Sequence, residues 1–384
     1  MNPLEKKILT QRSRRDFLKK TGLGLGSLAL SSMLGGTGAA KNLSGITLNN
    51  GGILGTGHFP AKAKRVIYLF QSGGPSQIES FDYKPALKKW HGQEIPDSVR
   101  GTQRNSGMVA SQSTFPLVQS IYDFKQYGQS GAWISELFPH TASIVDDLCI
   151  VKSVYTEAIN HEPAVMFVQT GSMISGRPSI GSWLSYGLGS DNENLPNFVV
   201  LLSLKGGQPL NSLSWGSGFL PSHHQGVQFR SGNEPVLFLN NPHGVHREDR
   251  KRALDRIKGF NEHQLDIWGD PEINSKITQY EMAYRMQASV PETVDISNEP
   301  DYIYEMYGED VKKPGTYARN CLLARKLAEQ GVKFIQLYHT GWDQHSHLPN
   351  GIRNQAKDTD QASAALIKDL KQRGLLEDTL VIWG

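Results

Sequence analysis

Short apolar runs alternate along this chain with amphipathic, helix-spaced segments, and that alternation restricts the fold more than any other feature. RVIYLF (65–70), DLCIVKSVY (147–155), NFVVLLSL (197–204), VKFIQLYH (332–339) and TLVIWG (379–384) have the length and the β-branched, aromatic content of strands. Between them, WISELFPHTASIVDD (133–147), YARNCLLARKLAEQG (317–331) and DTDQASAALIKDLKQRG (358–374) read as helices. In the last of these, Ala362, Ala365, Leu366, Leu370 and the later Leu375 share one stripe, with Lys and Asp opposite. Strands that are apolar throughout need cover on both faces. The expected fold is therefore α/β, a three-layer α/β/α sandwich around a mostly parallel sheet. Residues 205–300, rich in Gly, Asn, Pro and His, show neither period and read as an irregular insertion within a domain spanning 63–384. The last run ends at Gly384, where a strand should meet its pocket, so we expect the domain to lack its C-terminal part.

Ahead of this domain, residues 13–19 read SRRDFLK, followed by the weakly apolar TGLGLGSLALSSMLGG and the small residues TGAAKN. A basic head, a short apolar middle and a small-residue site near Ala39 or Ala40 make a signal peptide over 1–40. The apolar run is broken by Gly and Ser and is shorter than the ~20 residues a membrane span needs, so no stable span is expected. Residues 41–62 read as a linker. SRRDFLK resembles the twin-arginine export signal at every defined position. That resemblance implies passage through the twin-arginine translocation machinery into the periplasm or cell envelope, in a folded state.

A net charge of +3, part of it in the leader, leaves the body near neutral, and no basic-aromatic array appears; nucleic acid is not an expected partner. Cys149 and Cys321 both lie in apolar segments and read as buried free thiols.

In open α/β sheets, ligands bind beyond the carboxyl ends of strands. The loop after 332–339, HTGWDQHSH, holds Asp343, His345 and His347, a carboxylate and imidazoles suited to zinc, manganese or iron. After 147–155, His161 precedes an apolar helix whose first turn Pro163 would suit. There it either caps the helix or faces an anion. After 65–70, QSGGPSQIESFD places Ser72 and Ser76 beside Gly73 and Gly74; it is either a ligand approach or a structural turn with a capping serine. Arg177, in GSMISGRPSIGS, suits a phosphate or sulfate, or pins its loop.

The segment GLLEDTLVIWG is similar to the helix–strand element that precedes a metal-binding acidic turn in sulfatases and their alkaline-phosphatase-like relatives. Asp343 and His347 have the Asp-x-x-x-His spacing of the alkaline phosphatases. KAKRVIYLFQSGGPSQIESFDYKP, GRPSIGSWLSYGLG, WGSGFLPSHHQGVQFR and QLYHTGWDQH resemble an exported sulfatase-like family, catalogued as domain of unknown function fifteen-hundred-and-one, over essentially the whole chain. The resemblance implies an alkaline-phosphatase-like fold, a divalent metal (zinc, manganese, calcium or magnesium), and further acidic and histidine ligands after Gly384. The chain departs from the sulfatase pattern in two places. His161 occupies the position of the nucleophilic cysteine, with Ala164 and Val165 for Ser-Arg, and Gln71, Ser72 and Gly73 stand where an acidic pair is expected.

The implied function is an exported metal-dependent hydrolase of sulfate or phosphate esters, small or polysaccharide. His161 would act as nucleophile or general acid/base, Asp343, His345 and His347 would hold the metal, and Arg177, Ser72 and Ser76 would contact the substrate. The alternative is a non-catalytic exported protein that binds polysaccharide or a partner on the same fold.

Overall fold

The first apolar run forms strand β1 (Arg65–Gln71), and every side chain from Ile67 onward is buried. It sits in a five-stranded sheet of order β5-β4-β6-β1-β7, where β4 is Phe198–Ser203, β5 Val227–Phe229, β6 Phe334–His339 and β7 Thr379–Trp383. All four pairings are parallel, with Ile67 opposite Ile335 and Val381, and Val199 opposite Ile335. This computed structural model describes residues 52–54, 59–102, 105, 107–203, 210–230, 234–237 and 239–384; the proposed leader and most of the linker lie outside them. Residues from Asn50 onward form one compact unit.

Strand alternation sends two apolar sets to opposite faces. Ile67, Leu69, Val199, Leu201, Ile335 and Leu337 pack against helices α4 (Pro271–Val294), α5 (Asp301–Tyr307), α6 (Tyr317–Glu329) and α7 (Leu348–Gln372). Tyr68, Phe70, Phe198, Val200, Phe334 and Tyr338 meet α1 (His161–Thr170) through Val165, α2 (Ile180–Leu188) through Leu184, and Trp215. Helix α2 lies so close that a Cβ on Gly181 would stand 2.6 Å from both Phe198 and Phe334. The chain is thus α/β, with a parallel sheet flanked by helices. A further cluster of Tyr122, Ile134, Phe138, Trp342, Ile352 and Ala356 joins the hairpin β2 (Phe124–Tyr127)–β3 (Ala132–Ser135) to the start of α7. No helix among the described residues is long and apolar enough to cross a membrane.

Four expectations are corrected. Residues 133–147 do not form a helix: they hold β3, a one-turn helix Pro139–Ala142 and a 3-10 turn Val145–Asp147. Residues 148–156 run without regular structure and leave Val151, Val154 and Tyr155 exposed, because an apolar run becomes a strand only where a partner edge receives it. The region 205–300 contains two long helices, α3 (Arg247–Trp268) and α4. Cys149 is exposed, whereas Cys321 is buried, and burial pushes its thiol far up.

Candidate metal centre

β6 ends at His339, and the chain crosses the sheet rim as an irregular loop before α7 begins. What fixes this loop is Trp342, which is 1% exposed in the cluster under α7. Its backbone N–H donates to the Ser72 carbonyl at 3.2 Å, and its indole Nε1–H donates to His339 Nδ1 at 2.9 Å. Ser72 N–H in turn donates to the His339 carbonyl at 2.8 Å, so the loops after β1 and β6 are stitched together. Gly73, with φ of +112°, lies against the 342–343 peptide: an added Cβ would be 2.5 Å from Asp343 N. The glycine is required there twice, by its left-handed backbone and by the space. Gly341 is held from the other side, its carbonyl accepting from Gln344 Nε2 at 2.6 Å and Gln355 Nε2 at 2.7 Å.

These contacts present Asp343 to two imidazoles. Its Oδ2 is 2.7 Å from His345 Nε2 and 3.2 Å from His161 Nε2. One candidate ligand atom from each residue falls within 4.8 Å of the others. His161 arrives as the first residue of α1, whose N-cap Asn160 is extended and whose first turn contains Pro163. The amides of a first helical turn have no intrahelical acceptor, so this end of α1 turns donors and a partial positive charge outward. The side chains are 40% (His161), 18% (Asp343) and 52% (His345) exposed, which leaves the group open on its solvent side.

Two imidazoles and one carboxylate are a donor set that zinc accepts with a fourth position free, and that manganese or iron also accepts. The residues therefore fit a divalent ion with room beside it for water or substrate. The structure unites Asp343 and His345 but leaves His347 out. His347 is exposed and adopts φ of 53° as the residue that precedes α7, so neither the helical nor the extended spacing of the loop holds through it. His161 joins in its place.

The other candidates are dispersed. Ser72 is completely buried at the carboxyl end of β1, and among the described residues its Oγ has no hydrogen-bond partner. Ser76 precedes a one-turn helix; its carbonyl accepts from Ser80 Oγ at 2.9 Å, and its hydroxyl makes no capping bond. Arg177 is exposed in the loop between α1 and α2, and among the described residues no hydrogen bond or ion pair links it to the triad.

Beneath the rim lies a buried polar floor that the motif reading passed over. His339 is fully buried, with Nε2 4.0 Å from Asp358 Oδ2 and its ring edge-on to Tyr317 at 5.2 Å. Tyr317 Oη is 3.0 Å from Ser363 Oγ and accepts from Gln71 Nε2 at 3.4 Å; burial raises its pKa well above the usual tyrosine range, so it stays protonated. The one signal that would have found His339 is its place as the last residue of a fully buried strand.

No curated protein and no solved structure matches the chain. Residues 63–384, from two residues before β1 to one residue past β7, match the model of a family described as "Protein of unknown function (DUF1501)", and the chain belongs to that family.

Proposed function

We propose that this chain is an exported metal-dependent hydrolase of sulfate or phosphate esters, on an alkaline-phosphatase-like fold. The observation that carries the reading is the convergence of His161, Asp343 and His345 beyond the carboxyl ends of β1 and β6. A divalent ion bound there would polarise an ester oxygen or lower the pKa of a water molecule. Asp343, through Oδ2, would be the anionic ligand, and the two Nε2 atoms would complete the protein's share. His161 then serves as a ligand rather than as the nucleophile its sequence position implied, since its Nε2 faces Asp343. The first turn of α1, where the His161 and Glu162 amides have no intrahelical acceptor, favours an anionic group approaching the open side. Export by the twin-arginine route rests on SRRDFLK at 13–19.

The test is turnover of aryl sulfates and aryl phosphates with Zn2+ or Mn2+ added, for the wild type, His161→Ala and Asp343→Asn. The reading expects metal-dependent turnover, lost in both variants. Turnover that persists in Asp343→Asn would sink it. Metal binding and polysaccharide binding without turnover would favour the non-catalytic alternative, which the lack of Cys or Ser between residues 157 and 170 supports.

A further inference from the structure

Of the three triad members, Asp343 is the common partner, since its Oδ2 touches both imidazoles. It sits on an irregular loop, so something other than backbone regularity must aim it. Its chain neighbour Trp342 is the natural anchor. The indole is enclosed, edge-on to Trp383 at 6.1 Å, and its only polar atom donates to His339 Nδ1. An indole N–H can donate but never accept, so Nδ1 of His339 must be the unprotonated nitrogen. In the neutral ring the proton then sits on Nε2, the nitrogen that faces Asp358.

We propose that His339 is a positioning residue for Asp343: as a buried acceptor, it holds the Trp342 indole in the one orientation that aims the Asp343 carboxylate between His161 and His345. This rests on the metal-centre reading above. Loss of the acceptor would leave the indole N–H buried without a partner, and the ring would have to turn to find one. Trp342 and Asp343 share a peptide bond, and the Gly73 backbone is packed on that bond. A turn of the indole therefore moves the carboxylate instead of being absorbed within the loop. Residues that orient metal ligands from behind typically change metal affinity by about 10–100-fold when removed.

The experiment is a Zn2+ titration of metal-stripped full-length protein by calorimetry, run on the wild type, His339→Leu, His339→Asn and Trp342→Phe. Protection of the Trp342 indole N–H against hydrogen exchange is followed in parallel. Asparagine can place its side-chain oxygen close to where Nδ1 lies, so it keeps the acceptor while removing the ring. The expected result is that His339→Leu and Trp342→Phe each weaken Zn2+ binding by about 10–100-fold. The double variant His339→Leu with Trp342→Phe should be no weaker than either single one, and His339→Asn should stay near wild type with its indole protected. A merely structural role would not produce rescue by Asn together with non-additivity. Wild-type affinity in folded His339→Leu and Trp342→Phe overturns the proposal alone, as does a His339→Asn variant as weak as His339→Leu. A folded wild type that binds no Zn2+ overturns the metal-centre reading, and the proposal with it.

Discussion

Replacing Arg325 by Met should destabilise the fold by about 3 kcal/mol. Arg325 is 1% exposed in the middle of α6. Its guanidinium lies 2.9 Å from Asp369, 2.7 Å from Glu329 and 2.6 Å from Glu299, which ties α6 to α7 and to the turn before α5. Asp369 is wholly buried, so without Arg325 a carboxylate remains in the core. Breaking a buried pair from one side costs about 3–5 kcal/mol. The lower end applies because Asp369 keeps Arg373 Nε at 2.7 Å, Gln372 at 2.8 Å and the Tyr307 hydroxyl at 3.1 Å. At roughly 2 °C per kcal/mol for a chain of this size, Tm should fall by about 6 °C. Urea unfolding followed by circular dichroism gives the free energy directly. Arg373→Met is the control. It touches the same carboxylate, but its own side chain is 29% exposed, and its loss should cost at most about 1 kcal/mol. Adding Asp369→Asn to Arg325→Met should recover part of the loss, since the stranded charge goes with it. A cost below about 1 kcal/mol for Arg325→Met, or an equal cost for Arg373→Met, would show that the cluster is not organised around Arg325.

Three further outcomes rest on the same structure. Gly73→Ala should weaken metal binding and lower Tm, because its Cβ would meet Asp343 N at 2.5 Å; unchanged Zn2+ affinity in that variant would contradict the stitched loops. His347→Ala should leave Zn2+ affinity within about twofold, since His347 is exposed and outside the triad; a loss comparable with the roughly 10–100-fold effects of ligand-shell damage would restore the Asp-x-x-x-His reading. Burial first, then the neighbouring His223, holds His224 down at about 4, against about 6.5 in the unfolded chain. The unfolded state therefore takes up the proton first as pH falls. The stability contributed by neutral His224 is complete above about pH 6.5 and is lost between there and about pH 4. His224→Asn, which retains an acceptor for Ser185 Oγ, should flatten Tm against pH in that window.

Four of the five sheet strands were legible as unbroken apolar runs: β1, β4 and β6 because a parallel sheet buries both of their faces, and edge strand β7 by composition alone, since Leu380 and Ile382 are exposed. β5 has only three residues, too few for any period to show. Residues 147–155 carry the same composition and fail as a strand, since pairing depends on a distant edge that composition does not encode. Helix α3 was invisible for the opposite reason. It buries none of its residues and reads REDRKRALDRIKGFNEHQLDIW, polar nearly all round, so its apolar stripe is too thin to register. At the site, Asp343 and His345 stood out because they follow a buried strand. The partnership of His161 with Asp343 did not, because nothing local announces a 3.2 Å approach between a helix end and a distant loop. His347 was misplaced by a single left-handed residue, which no spacing rule anticipates.

The strand order also has a consequence for synthesis. β1 is made early, yet both of its neighbours, β6 and β7, come from residues 334–383. Ile67 pairs with Ile335, so at about 5–20 residues per second the strand RVIYLFQ waits roughly 15–50 s on the ribosome without a partner. During that wait it is an apolar segment with both edges open, the kind of surface that recruits a holding chaperone or another nascent chain. The loops that carry Ser72 and Asp343 cannot be joined before β6 emerges. Occupancy of the triad by metal would thus report on the pairing of β1 with β6, and only a chain synthesised past the Asp343 loop could acquire it.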